Sequence, residues 1–155
     1  MESKSASFII NTAADMRGFG NKLGARLFPR AFIALYGGLG AGKTTLVKGI
    51  AEPLGIEDIS SPTFTIVRRH FGSLVLDHFD AYRIEDPDEL TAIGFFDHLA
   101  SESVIIMEWC ENVPEVIPDE RLEIRIEGSG EGPRAVAAEA FGSAYIEILE
   151  ALTQC

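Results

Sequence analysis

The run Gly37-Gly38-Leu39-Gly40-Ala41-Gly42-Lys43-Thr44 fulfils the pattern G-x-x-x-x-G-K-[ST] and directly follows the apolar stretch Ala31-Phe32-Ile33-Ala34-Leu35-Tyr36. The chemistry open to such a run is the binding of a phosphate chain. A buried strand delivers the backbone to a turn without bulky side chains, whose amide N–H groups converge on an anion at the start of the next helix. Gly37, Gly38, Gly40 and Gly42 are expected to supply backbone angles closed to other residues and to let the loop amides, those of Leu39 and Ala41 included, approach phosphate oxygens. Lys43 would then neutralise the β and γ phosphates, the Thr44 hydroxyl would ligate magnesium, and Thr45 would lie beside it in the first helical turn. The plainer alternative is a glycine-rich turn that merely joins a strand to a helix.

Magnesium on a triphosphate takes octahedral oxygen ligation, to which a protein usually adds a hydroxyl and one or two carboxylates. Two acids lie at the ends of strand-like runs. Glu108 follows Val104-Ile105-Ile106-Met107, a layout in which an apolar strand ends in an acid able to hold magnesium or orient an attacking water. Asp80 ends Leu74-Val75-Leu76-Asp77-His78-Phe79 and suits a magnesium ligand or a helix cap equally well. Thr63, in Ser60-Ser61-Pro62-Thr63, stands between the loop helix and the following strand, where a threonine can close on magnesium and the γ phosphate; read alone it fits a proline-bearing loop. Trp109, the only tryptophan, has two readings: a platform for a partner or nucleotide, and a core residue. Arg68, Arg69 and Arg83 form the densest basic set before the C-terminal hairpin, either a solvated face or a contact for phosphates of an RNA or partner.

To position these groups the chain has 155 residues, which suits one domain, residues 1–155, with enough length to bury a core without disulfides. A formal net charge of -11 argues against unassisted binding of a long nucleic-acid backbone, while a compact nucleotide can still be held locally by loop amides and Lys43. Cys110 and Cys155 lack metal-ligand spacing, and no stretch nears the roughly 20 apolar residues that span a bilayer. The expectation is a cytoplasmic, unexported protein that does not enter membranes.

The patterns predict a strand over 7–11 and a helix over 12–27, with Met16, Phe19, Leu23 and Leu27 on one face and Thr12 as its cap. A strand over 31–36 leads into the glycine loop, and a helix from Lys43 runs to Gly55. Residues 63–71 and 74–79 read as an antiparallel pair around Gly72-Ser73, and Asp86-Pro87-Asp88-Glu89 opens a helix. The run 104–107 reads as a strand covered on both faces, 121–127 and 134–140 as a hairpin, and 143 onwards as a closing helix. The fold class is α/β: a P-loop NTPase three-layer fold whose mixed sheet has a parallel core and antiparallel additions. In such sheets ligands sit beyond the carboxyl ends of the strands. The end of the first strand, near Asn11 and Thr12, is a candidate neighbour of the base.

Lined up, the motifs resemble those of the TsaE (YjeE) family, small bacterial ATPases of tRNA threonylcarbamoyladenosine synthesis. Gly40-Ala41-Gly42-Lys43-Thr44-Thr45 is followed by Ser61-Pro62-Thr63-Phe64-Thr65, by His78-Phe79-Asp80-Ala81-Tyr82-Arg83, by Glu89-Leu90 with Gly94, by Glu108-Trp109 and by Pro118. The likeness covers 37–118, about half the chain, with Arg134 a looser match. It implies ATP and Mg2+ as cofactors, with Lys43 on phosphate, Thr44, Asp80 and Glu108 at the metal, Thr63 in a switch-like loop, and Arg134 at the nucleotide. It further implies slow, partner-stimulated hydrolysis that drives cycling of TsaB- and TsaD-like transferase partners, with tRNA met within that complex. The family commonly has aspartate where this chain has Gly38 and leucine where it has Ala81.

Two other classes are kept open: a nucleotide-dependent binding switch whose hydrolysis is incidental, and a small-molecule P-loop kinase. A kinase usually carries an arginine-bearing lid that excludes water, and no arginine-rich lid is evident. A GTPase is disfavoured, because Asn21-Lys22-Leu23-Gly24 lacks the aspartate of the guanine-reading motif and precedes the loop.

Overall fold

The structure, a computed structural model, describes residues 1–59 and 66–154. The Ser60–Thr65 stretch, Thr63 with it, and Cys155 lie outside the described residues. In chain order the elements are β1 (Ser3–Ile10), α1 (Ala13–Gly24), β2 (Phe32–Tyr36), α2 (Lys43–Ala51), β3 (Val67–His70), β4 (Leu76–Asp80), α3 (Asp88–Ala92), α4 (Phe95–Ala100), β5 (Val104–Glu108), β6 (Arg121–Glu127), β7 (Arg134–Phe141) and α5 (Ser143–Thr153). The strands form one sheet of order β1-β7-β6-β2-β5-β4-β3. β2 runs parallel to both β5 and β6, and β4 parallel to β5. The antiparallel strands are added outside this core: β3 on β4, β7 on β6 and β1 on β7.

Successive side chains of a strand point to opposite faces, and that alternation sorts the core into two layers. Ile33 and Leu35 of β2 and Val104 and Ile106 of β5 meet α1, α2 and α5 through Leu23, Leu46, Ile50 and Leu149. Phe32 and Ala34 of β2 and Ile105 and Met107 of β5 face the other way, toward Leu90 of α3 and Phe95 of α4. Strands β2 and β5 are apolar at nearly every position because helices cover both faces, as parallel strands require. The mixed α/β sheet predicted from the patterning is the observed fold.

Several boundaries differ from the predicted ones, for physical reasons. β1 starts at Ser3 because its backbone pairs along the whole of β7, from Ser3↔Phe141 to Ile10↔Arg134, although Ser3, Lys4 and Ser5 carry no apolar signal. α1 stops at Gly24, and the 3-10 turn Glu52–Leu54 takes over from α2 before Gly55 ends it in a left-handed conformation. The helix opened after Pro87 is divided at Gly94, whose φ of 82° no right-handed helix accepts. Among the described residues no helix is long and apolar enough to cross a membrane.

Helices α1 and α2 cross at backbone contact, and this holds the loop helix against the sheet. A Cβ built on Gly49 would meet the Arg17 carbonyl oxygen at 2.5 Å. On the opposite, exposed side of α1, a Cβ on Gly18 meets nothing within 4 Å. Gly49→Ala is therefore expected to destabilise by about 1–3 kcal/mol through overpacking. Gly18→Ala should instead stabilise by about 0.5–1 kcal/mol through helix propensity. Thermal denaturation of the two variants should move in opposite directions.

Candidate functional site

Because β2, β4 and β5 are parallel, their carboxyl ends open on one edge of the sheet, and the register decides which groups meet there. Glu108 lies between Leu35 of β2 and Asp80 of β4. Asp80, which the sequence left between a magnesium ligand and a cap, thus stands beside Glu108 at the end of a neighbouring strand. The loop that leaves β2 returns as α2 above them. Gly42, at the N-cap of α2, has φ 107°, a backbone state that excludes a side chain. Gly38 has no such demand: its φ is not positive, and a Cβ there meets nothing within 4 Å. The expectation that all four loop glycines are needed for their backbone angles is corrected at that position.

A cavity of about 550 Å³ lies over this edge, lined by the loop from Leu39 to Thr45, and by Asp80, Tyr82, Arg83, Glu108, Trp109 and Arg134. Lys43, only 7% exposed, carries its ammonium 3.6 Å from Glu108 Oε1 and 4.3 Å from the centre of the Trp109 ring. The core reading of Trp109 holds in part. Its flank packs on the lower core while its ring lies under Lys43 and 4.8 Å from the Tyr82 ring, from a left-handed backbone with φ 59°. Glu108 Oε2 sits 2.5 Å from Nε2 of His78, which is fully buried. Asp80 is anchored locally, its Oδ1 accepting from the Tyr82 N–H at 2.9 Å.

The two acids differ in electrostatics. Burial works to raise the Glu108 carboxyl, but the His78 hydrogen bond and the charges of His78 and Lys43 outweigh it and hold the group below its ordinary range. Asp80 is pushed above its ordinary range by burial, with the Glu108 charge adding to it, against the pull of the Tyr82 N–H and Lys43. Two adjacent carboxylates, one of them reluctant to ionise, suit a site that a hard cation would complete. Thr44 lines the same cavity and carries a hydroxyl of the kind such a cation would take. Among the described residues no group of three or more His, Cys, Asp or Glu could hold a metal, so magnesium here would need phosphate and water oxygens beside these three side chains.

A second cavity of about 340 Å³ adjoins the first and is lined by Asn11, Thr12, Met16, Ala41, Gly42, Thr45, Arg134 and the Gly130–Gly132 turn, among others. Thr12 is the N-cap of α1 as expected, its hydroxyl accepting from the Asp15 N–H at 3.0 Å. Arg134 lines both cavities, yet its guanidinium is given to backbone: Ala41 O at 2.9 Å, Gly40 O at 3.2 Å, Gly130 O at 2.9 Å and Gly132 O at 2.5 Å. It brackets the glycine loop to the β6–β7 turn.

The expected basic set is split. Arg69 is bound to the buried Asp77 carboxylate through Nε at 2.8 Å and a second nitrogen at 3.0 Å, whereas Arg83 lines the site. Cys110 is buried, and burial pushes its thiol up. His78 and Tyr82 were not singled out as site residues by sequence reasoning. The available signal was spacing, since His78 and Asp80 are two apart on one strand and so share a face.

A family model described as threonylcarbamoyl adenosine biosynthesis protein TsaE matches residues 10–136. A Bacillus subtilis protein named tRNA threonylcarbamoyladenosine biosynthesis protein TsaE is 41% identical over 128 residues, 81% of this chain and 80% of the relative. A protein of the same name from Treponema pallidum is 34% identical over 83% of this chain and 96% of its own length. The crystal structure of Bacillus subtilis YdiB superposes with a TM-score of 0.82 at 32% identity, covering 99% of this chain and 97% of that one.

Two outcomes are expected at this site. The folded Asp80 carboxyl holds its proton more readily than the unfolded one, so its ionisation opposes folding above the raised pKa, and the penalty fades as pH falls toward the ordinary value of 3.8. Asp80→Asn should raise Tm at pH 7.5, and the gap to the wild type should close by about pH 4. Gly38→Asp, with room for its side chain, should leave stability within about 0.5 kcal/mol in denaturant titration.

Proposed function

The chain belongs to the TsaE family of tRNA threonylcarbamoyladenosine biosynthesis proteins, and from that premise we propose that it is the ATP-binding and hydrolysing subunit of the complex that makes threonylcarbamoyladenosine at the adenosine beside the anticodon of ANN-decoding tRNAs. The single observation that carries this reading is the meeting of Lys43, Asp80 and Glu108 in one cavity under a glycine loop. A nucleotide polyphosphate needs amide donors, one ammonium and acidic groups for its cation, and these are the groups present.

In this reading the loop amides and Lys43 hold the phosphates, with Thr44, Asp80 and Glu108 at the magnesium ion. Magnesium, when bound, would offset charge developing on the transferred phosphoryl group. Lys43 leaves Glu108 for the phosphates, and the freed carboxylate orients water. The smaller cavity takes the nucleobase against Asn11, Thr12 and Met16, its volume of about 340 Å³ falling within the range of small-ligand pockets. Arg134 keeps the wall between base and phosphates in place. TsaB- and TsaD-like proteins are the partners whose cycling the nucleotide drives, and the net charge of -11 makes tRNA a ligand of the assembly rather than of this chain alone.

The test is phosphate release and nucleotide preference for the chain alone and with both partners. Slow release from ATP alone, stimulated in the mixture, is expected. Full multi-turnover tRNA modification with a non-hydrolysable analogue would overturn the driving role and leave a binding switch, and phosphate on a metabolite would indicate a kinase. Lys43→Ala removes a charge-assisted contact of about 1.5–3 kcal/mol. It should weaken ATP binding by roughly 10- to 150-fold, measured by calorimetry; unchanged affinity and turnover would refute the assigned role.

A further inference from the structure

We propose that His78 is a positioning residue for hydrolysis: its Nε2–H holds one oxygen of Glu108 so that the other stays turned into the nucleotide cavity. The proposal rests on the ATPase reading above and adds to it a group outside the cavity lining.

The register sets up the contact. On β4 and β5, His78 pairs with Ile106 and Asp80 with Glu108, so all four side chains point to the α2 face and the imidazole reaches diagonally along the sheet to the carboxylate. The Nε2–Oε2 distance is 2.5 Å, with the histidine side chain at 0% and the glutamate side chain at 5% exposure. An ionised Glu108 oxygen can only accept, so the nitrogen facing it carries the proton: Nε2–H donates in the doubly protonated ring and in the Nε2–H tautomer of the neutral one.

The two Glu108 oxygens are held unequally. Oε2 has a short hydrogen bond, whereas among the described residues Oε1 has only an ion-pair contact with Lys43 at 3.6 Å, beyond hydrogen-bond length. A phosphate chain draws Lys43 away from that contact. Among the described residues His78 is then the side chain that still fixes the carboxylate, and the oxygen it leaves untouched faces the site.

An ordinary buried histidine would have both nitrogens satisfied. Nδ1 of His78 is buried and has no hydrogen-bond partner among the described residues, a cost that a leucine in this apolar layer would avoid. The polar capacity the ring does use goes to Glu108. Asp80 needs no such support, because the Tyr82 N–H already holds it.

The experiment measures ATP turnover with partners present, and nucleotide affinity by calorimetry, for wild type, His78→Leu, His78→Gln and His78→Asn. Loss of a group that orients a site ligand typically costs about 10- to 100-fold. His78→Leu should lower kcat by that factor while KM and ADP affinity stay within about twofold. His78→Gln, whose amide nitrogen matches the reach of Nε2, should recover most of the turnover, and the shorter His78→Asn should not. In a Glu108→Gln background, His78→Leu should reduce the residual rate by less than about twofold. Unchanged kcat in His78→Leu, or losses of kcat and affinity in equal measure, would overturn the proposal. If the leucine variant does not fold, the glutamine and asparagine variants decide: equal turnover of the two overturns it. Wild-type protein that releases no phosphate would sink the ATPase reading itself, whereas wild-type turnover with indifferent variants removes only His78.

Discussion

An ammonium and a carboxylate, Lys43 and Glu108, face each other at 3.6 Å with 7% and 5% of their side chains exposed. Charges so far from water are held only if each has a partner: among the described residues, removing Glu108 would leave the ammonium facing only the Trp109 ring, and removing Lys43 would leave the carboxylate to His78 alone. The pair therefore constrains everything around it. The glycine loop must bring α2 to the end of β2, β5 must lie beside β2 in parallel register, and Trp109 must cover Lys43 from below. A triphosphate would replace one anion with another at Lys43, so the site can exchange partners without ever exposing a bare charge.

That economy of charge also fits the proposal that a chain of net charge -11 holds an anionic ligand. The elements that would bind it are local and largely backbone: amides at a helix start and one screened lysine, in a loop whose carbonyls Arg134 secures. The surface field repels long polyanions while the interior of the cavity does not. An acidic surface and the proposed phosphate site are compatible because the two act over different distances.

Much of the architecture was legible from patterning. The continuous apolar runs 31–36 and 104–107 announced doubly covered parallel strands, and the alternation over 121–127 announced a strand with one polar face. Thr12 capped its helix as its type and place required. Less legible was anything set by pairing rather than by composition. β1 extends through Ser3, Lys4 and Ser5 because β7 offers backbone partners, and the arginines at 68, 69 and 83 part company because a buried Asp77 claims one of them. Gly38 looked equivalent to the other loop glycines in a motif, and only its actual φ separates it from them.

By itself the sequence determined the glycine loop between strand and helix, the two acid-ended strands and the order of elements, because these depend on local backbone freedom and on periodicity, which are properties of neighbouring residues. The tertiary structure alone decided that Asp80 and Glu108 stand side by side, that Lys43 rests between Glu108 and Trp109, that Arg134 spends its nitrogens on loop carbonyls, and that His78 grips one carboxylate oxygen. Those relations join residues from 28 to 94 positions apart in the sequence, and no local rule reaches that far: strand order and register set them, and both come from burying two apolar layers at once.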